Sequence, residues 1–170
     1  MDAGRIGCYY ISFISKADLR VECMIGSCLF EYWDVEVEWD GNVVYYIRFK
    51  TRFTGKPGQV PESIRMFLAG KATDILDLTS HAVFHDGVYG AVYRRVARIP
   101  YGHTESYGSI ARDVGTGPRV VGLAMKRNPT PLIIPCHRVV GKKGLGGFSP
   151  DITIKEKLLA LEKGNHSDTR

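Results

Sequence analysis

The side chains best suited to chemistry cluster in the second half of the sequence: Cys136 and His137 side by side, Glu162 downstream and Tyr107 upstream. A cysteine attacks as its thiolate. With an ordinary pKa near ~8.5, it needs a base or a nearby positive charge to form one at neutral pH. His137 is such a base, and a carboxylate behind it would orient the ring and favour its charged form. Pro135 fixes φ ahead of Cys136 and removes a backbone donor, so a thiol held there can be aimed. Read as extended chain, Ile133-Ile134-Pro135 is an apolar strand entering the cysteine, and Val139-Val140 is a second β-branched pair leaving it. Adjacent residues of a strand point to opposite faces. His137 therefore reaches Cys136 through a bridging water or through a non-extended turn at Pro135. A small buried hydrophobe is the competing reading of the cysteine. The elements around it decide between the two.

Tyr107–Val114 reads as a helix with Ile110, Ala111 and Val114 inward, Gly115-Thr116-Gly117 as a sharp turn, and Pro118–Lys126 as a second helix opened by proline. Together these make a helix-turn-helix. On the second helix Val120, Val121, Ala124 and Met125 fall on one face. Arg119, Gly122 and Lys126 fall on the other, with Leu123 at its edge. That outer face lacks the Asn, Gln and Ser side chains that read base edges. Two cations flanking a glycine suit close approach to a backbone or a shallow groove. Asn128-Pro129-Thr130-Pro131 then forms a stiff connector to the cysteine, with the Asn128 amide placed to bond neighbouring backbone. A last helix, Ile152–Lys163, is capped by Asp151 and ends at Gly164. It turns Ile154, Leu158 and Leu161 inward and puts Glu162 near the same face, where a carboxylate needs a partner; His137 is the natural one.

The first half reads as β. Tyr9–Ile14 and Leu19–Ile25 are apolar or weakly alternating, and Val35–Trp39, Asp40-Gly41 and Val43–Phe49 form a hairpin. Thr54–Gly58 is a loop and Val60–Ala69 a short helix stopped by Gly70. Asp86–Ile99 is a helix whose apolar stripe includes Val88, Ala91, Val92, Val96 and Ile99. The expected fold class is α/β in the α+β sense: an N-terminal α/β domain over 1–80, built on a small antiparallel β-sheet with a helix, then a mostly helical C-terminal domain over 81–170 that carries the helix-turn-helix and the cysteine loop.

With 170 residues and 24% charged residues, the composition is that of a globular protein. No apolar run approaches the ~20 residues of a bilayer span, and no leader with a basic start and an apolar core opens the sequence. The expected compartment is the cytoplasm, at the nucleoid through DNA, or the nucleus in a eukaryote. The net charge is +5. Segment 94–143 concentrates it, setting Arg94, Arg95, Arg98, Arg112, Arg119, Lys126, Arg127, Arg138, Lys142 and Lys143 against Glu105 and Asp113. A basic half beside a balanced half suggests a nucleic-acid surface. Cys8, Cys23 and Cys28 stand far from Cys136. The spacing of Cys23 and Cys28 allows a disulfide or a metal site, and a reduced, structural role is preferred.

Pro-Cys-His-Arg-Val-Val at 135–140 resembles the active-site motif of the O6-alkylguanine-DNA alkyltransferases, the methylated-DNA–protein-cysteine methyltransferases. The resemblance runs over about residues 86–164. It includes Ser-Tyr-Gly-Ser-Ile-Ala at 106–111, Pro-Arg-Val-Val-Gly at 118–122, Ala-Met-Lys-Arg-Asn-Pro at 124–129 and Lys-Glu-Lys-Leu-Leu at 155–159. It implies that Cys136 takes the alkyl group from guanine O6, chiefly a methyl group, in one irreversible turnover. His137 would act as base through a water, Glu162 would orient it, and Tyr107 would donate to guanine N3. Pro131 and Ser149 would line the pocket with Tyr107. Arg119 would fill the gap left by the flipped nucleotide, and Asn128 would be the hinge. Gly122 and Lys126 would lie at the DNA, with the helix docked in the minor groove. The implied partner is double-stranded DNA carrying O6-alkylguanine, bound by a monomer without a membrane and without a cofactor. Some relatives hold a structural zinc in the N-terminal region. Here Cys8, Cys23, Cys28, His81 and His85 do not fall in that register, and no metal is expected. Neither a hydrolase nor a sequence-reading regulator fits as well, since the one wants an oxyanion hole and the other base-reading side chains.

Overall fold

A computed structural model describes residues 23–51 and 59–166. The expected strand at Tyr9–Ile14, Cys8, the loop Thr54–Gly58 and most of Leu19–Ile25 lie outside these residues. Three consecutive strands, β1 (Met24–Phe30), β2 (Trp33–Asp40) and β3 (Val43–Lys50), form an antiparallel meander, and the short β4 (Thr79–Ser80) adds parallel to β3. Alternation drives β2: Trp33, Val35, Val37 and Trp39 are buried, and Glu36 and Glu38 between them are not. The hairpin sits where expected, but its loop is Gly41-Asn42, with Gly41 at φ +54°, and Asp40 still pairs with Val43. The preceding strand runs past the expected end at Ile25 to Phe30, because register with β2 is set by the buried Gly26, Ser27 and Phe30 rather than by a strict period.

Helix α1 (Glu62–Leu68) packs Ile64 and Phe67 on the sheet, and each such buried side chain stabilises by roughly 1.5–3 kcal/mol. A 3₁₀ turn at His81–Phe84 leads into α2 (Gly87–Val96). Val88 is exposed there rather than part of the buried stripe, because Gly90, Val92, Tyr93 and Val96 turn inward and leave it at the rim. The two-residue strands β5 (Glu105–Ser106) and β6 (Val139–Val140) pair in parallel. Helices α3 (Tyr107–Val114) and α4 (Pro118–Lys126) keep their expected bounds. Ser106 caps α3 through Ser109 N, and Gly115 ends it at φ +75°, where a side chain would be strained. Helix α5 (Ile152–His166) starts under the Asp151 carboxylate, which accepts from Thr153 N at 2.9 Å. It continues through Gly164, since an interior glycine costs only about 1 kcal/mol.

Two apolar cores result. One joins the sheet and α1 to Tyr101, Leu132, Ile154 and Leu158; the other joins α2, α3 and α4 to Ile134 and Val139. The cysteine segment therefore lies along their seam, with Leu132 in the first core and Ile134 and Val139 in the second. No helix among the described residues is long and apolar enough to cross a membrane.

Candidate active site

The approach to Cys136 is not a strand. Leu132 adopts φ +85°, Pro131 bridges to Ile134, and Cys136–Arg138 is one 3₁₀ turn. Pro135, at φ −75° and ψ 68°, bends the chain there, and its carbonyl accepts from Arg138 N at 2.9 Å. An apolar run looks extended in sequence. Here it is folded because its hydrophobic side chains serve two cores at once.

Asn128 holds this turn to α4. Its Nδ2 donates to Ile134 O at 2.8 Å, its Oδ1 accepts from Thr130 N at 3.1 Å, and its amide lies beside Cys136 and pulls the thiol pKa down. The sheet grips the same connector from behind. Ile47 N donates to Pro129 O at 2.9 Å, and the buried Thr130 hydroxyl bonds Ser80 Oγ at 2.6 Å.

Behind the cysteine lies a buried polar cluster. His137 Nε2 is 2.7 Å from Glu162 Oε1, and Arg138 donates from Nε and Nη2 to the same carboxylate. Gly102 N completes it at 2.9 Å, and Arg138 Nη1 reaches Ile99 O at 2.7 Å. Burial works to raise the Glu162 pKa, but the bonds from His137 and Arg138 outweigh it and hold the carboxyl at about 2. Burial lowers the pKa of His137 despite its carboxylate partner. Arg138 already balances the charge of Glu162, so the imidazole is neutral. With Nε2–H donated to the carboxylate, Nδ1 carries the free lone pair, and it has no protein hydrogen-bond partner. That is the base form of histidine. It also means that the His137 ring makes no direct hydrogen bond to the Cys136 thiol.

Burial raises the Cys136 thiol to about 11, against the pull of the Asn128 amide and the nearby Lys155. The resting group is therefore a thiol. Lys155 is fully buried, with Nζ on Val139 O at 2.6 Å, and burial lowers it to about 8. Tyr107 is raised by burial first and by Cys136 second, so it remains a phenol donor.

A cavity of about 370 Å³ opens onto the sulfur. Tyr107, Gly122, Lys126, Asn128, Pro131 and Ser149 all line it with Cys136, as do Met125, Gly147 and Phe148. His137 and Glu162 lie behind this wall, and Arg119 stands outside it, exposed at the start of α4. Arg138, Lys155 and Gly146 were not singled out in the sequence. Arg138 stands directly before the apolar pair Val139-Val140, where a cation signals a buried acceptor, whereas Lys155, followed by Glu156 and Lys157, reads as one more surface charge. A Cβ at Gly146 would come 2.9 Å from the Tyr107 ring, so only glycine lets the 141–147 loop lie against that phenol. The described residues contain no cluster of metal-ligating side chains, and Cys23 and Cys28 are both free.

A cysteine over a base-sized cavity, backed by a His–Glu–Arg cluster and flanked by a helix-turn-helix, defines a thiol acceptor protein with a nucleic-acid face. Comparison with known proteins gives the family. The family described as 6-O-methylguanine DNA methyltransferase, DNA binding domain, matches residues 88–164. A methylated-DNA–protein-cysteine methyltransferase of Archaeoglobus fulgidus is 35% identical over 137 residues, covering 77% of this chain and 92% of that protein. The crystal structure of the Mycobacterium tuberculosis O6-methylguanine methyltransferase superposes with a TM-score of 0.70 at 30% identity, covering 84% of this chain and 94% of that one. The M. tuberculosis protein in complex with DNA gives a TM-score of 0.67 at 31% identity, covering 82% of this chain and 92% of that one. The chain belongs to the O6-alkylguanine-DNA alkyltransferase family.

Proposed function

We propose that this protein repairs DNA directly, moving the alkyl group of O6-alkylguanine, chiefly O6-methylguanine, onto Cys136 in a single irreversible turnover. The observation that carries the reading is Cys136 in the wall of the 370 Å³ cavity, beside Asn128 and backed by the buried His137–Glu162 pair. The target carbon lies inside the base stack, so the nucleotide must be extruded at a cost of a few kcal/mol. The exposed Arg119 occupies the gap, and α4 meets the minor groove, its Gly122 allowing close approach. In the cavity Tyr107 donates to guanine N3 while Pro131 and Ser149 bound the alkyl group. The Cys136 proton passes to His137 Nδ1 through a water. Sulfur forms the new S–C bond as the C–O6 bond breaks, and the proton ends on guanine N1. Burying the thiol keeps it protonated until the base arrives, which protects it from other alkylating agents and oxidants. The thioether product has no path back to thiol.

The protein acts as a monomer in the cytoplasm, at the nucleoid through DNA, or in the nucleus of a eukaryote. It divides near residue 80 into an N-terminal α/β domain and the DNA-binding, alkyl-accepting domain, and the two share the first core. A duplex carrying one O6-methylguanine with a labelled methyl tests the reaction. The label moves to the protein at about one per molecule, and Cys136→Ala abolishes transfer while leaving DNA binding. Release of labelled methanol, or repeated turnover, refutes it.

A further inference from the structure

A second, shallower depression of about 670 Å³, wide open to solvent, lies on the other side of the connector that carries Asn128. Lys126, Asn128 and Pro131 face the alkyl-acceptor cavity, whereas Arg127 and Pro129 face this one. Alkyl transfer makes no use of it, and its volume is that of a small-ligand site.

Half of the lining residues carry aromatic or imidazole rings. Tyr46, His81, His85 and Tyr89 line it. His81 stacks on Tyr45 with centroids 5.5 Å apart and meets His85 edge to face at 5.4 Å. Burial lowers the His81 pKa, which keeps that ring uncharged. Arg127 lies at the mouth, 5.7 Å from the Tyr89 ring centroid and donating to its hydroxyl at 3.3 Å. Asp86 is exposed on the same rim. Aromatic walls with a carboxylate could also suit a quaternary ammonium. Two of the rings already face a guanidinium, however: Arg127 at Tyr89, and Arg48 at 4.5 Å from the centroid of Tyr46. A further cation would enter against Arg127. A flat base stacks on such rings whatever its identity. Its exocyclic amine matches a carboxylate acceptor, and its phosphate matches an arginine.

We propose that this cavity binds a nucleotide whose base bears an exocyclic amine, with the base among Tyr46, His85 and Tyr89, the amine at Asp86 and the phosphate at Arg127. The nucleotide is either free or presented by a single strand of DNA, and the chemistry is the same.

Titration of the ¹⁵N-labelled protein with dCMP tests this by position. Saturable shifts are expected at the amides of Tyr46, His85, Tyr89 and Arg127, with a Kd of about 1 mM or tighter. dTMP keeps the ring and the phosphate but lacks the amine, and should bind about ten-fold more weakly. Asp86→Asn should erase that difference. Tyr89→Ala should weaken dCMP about ten-fold or more while the spectrum stays dispersed, which separates lost binding from lost fold. A single-stranded trinucleotide with a central cytosine identifies the source: tighter binding than dCMP assigns the site to a strand, and equal binding to the free nucleotide. Shifts confined to the Cys136 cavity, no saturation by about 10 mM, or equal binding of tetramethylammonium would overturn the proposal. None of these readouts depends on Cys136 accepting an alkyl group.

Discussion

The cluster behind Cys136 and the outer face of α4 serve one reaction and are built by opposite rules. In the cluster His137, Arg138, Lys155 and Glu162 are all buried, and each has a named acceptor or donor at 2.6–3.1 Å. On α4, Arg119, Leu123 and Lys126 are exposed, and neither cation is in an ion pair among the described residues. A buried charge is tolerated only with its partners buried around it, as Glu162 is between Arg138 and His137, so each loss there is expensive. An exposed cation gains little from its own fold and is free to meet phosphate. Changes in the cluster should therefore register in stability and chemistry together, and changes on α4 in DNA binding alone.

Glu162→Gln strikes that contrast hardest. It leaves Arg138 buried without its carboxylate and turns the acceptor of His137 Nε2 from a carboxylate into a neutral amide oxygen. A loss of roughly 3–5 kcal/mol in unfolding free energy is expected, together with slower methyl transfer even to free O6-methylguanine base. Urea unfolding and single-turnover rates measure the two. A variant with unchanged stability would show that the cluster is not the buried unit described. The same carboxylate sets an acid limit. Its pKa is held down from 4.5 to about 2, so the stability it contributes is fully present above about 4.5 and is lost as pH falls towards 2. Glu162→Gln should remove that part of the acid transition, and equal pH profiles for the two proteins would refute the assignment.

The same contrast explains what could be read from sequence. Helices α3 and α4 were legible to the residue because the chain punctuates them: Gly115 stops the first and Pro118 starts the second. The Asn128 hinge and the Glu162–His137 pairing were legible because a side-chain amide beside prolines, and a carboxylate on an apolar helix face, each demand a partner. The backbone at Cys136 was not. Ile133-Ile134 has strand composition, but Leu132 serves the sheet core while Ile134 and Val139 serve the helical core, and that division exists only in three dimensions. Lys155 was hidden for the same reason, since its acceptor, Val139 O, is the carbonyl of a strand that forms only after the turn.

On the α4 side the larger effect belongs to Arg119→Ala. If Arg119 fills the gap left by the extruded nucleotide, its loss adds to the unstacking cost of a few kcal/mol. Repair of O6-methylguanine in a duplex should then slow on the order of a hundred-fold. Reaction with the free modified base should keep its rate, and the urea midpoint should not move, since Arg119 is exposed at the helix start. Equal losses on duplex and free base would place Arg119 in the chemistry and dissolve the contrast between the two regions.

Lys126→Ala should have the smallest effect and be the finest probe. Lys126 is exposed at the end of α4, yet it also lines the cavity over Cys136, so it stands where the two regions meet. As a phosphate contact it contributes about one released counterion. Its loss should reduce the slope of log K against log salt by about 0.9 and weaken duplex binding a few-fold, without dependence on sequence. As a cavity residue it would instead change the rate with free O6-methylguanine and leave the salt slope alone. Binding measured at several salt concentrations, beside the free-base rate, separates these roles. The exposed charge favours the first, because a lysine held for the chemistry would be paired or buried as Lys155 is.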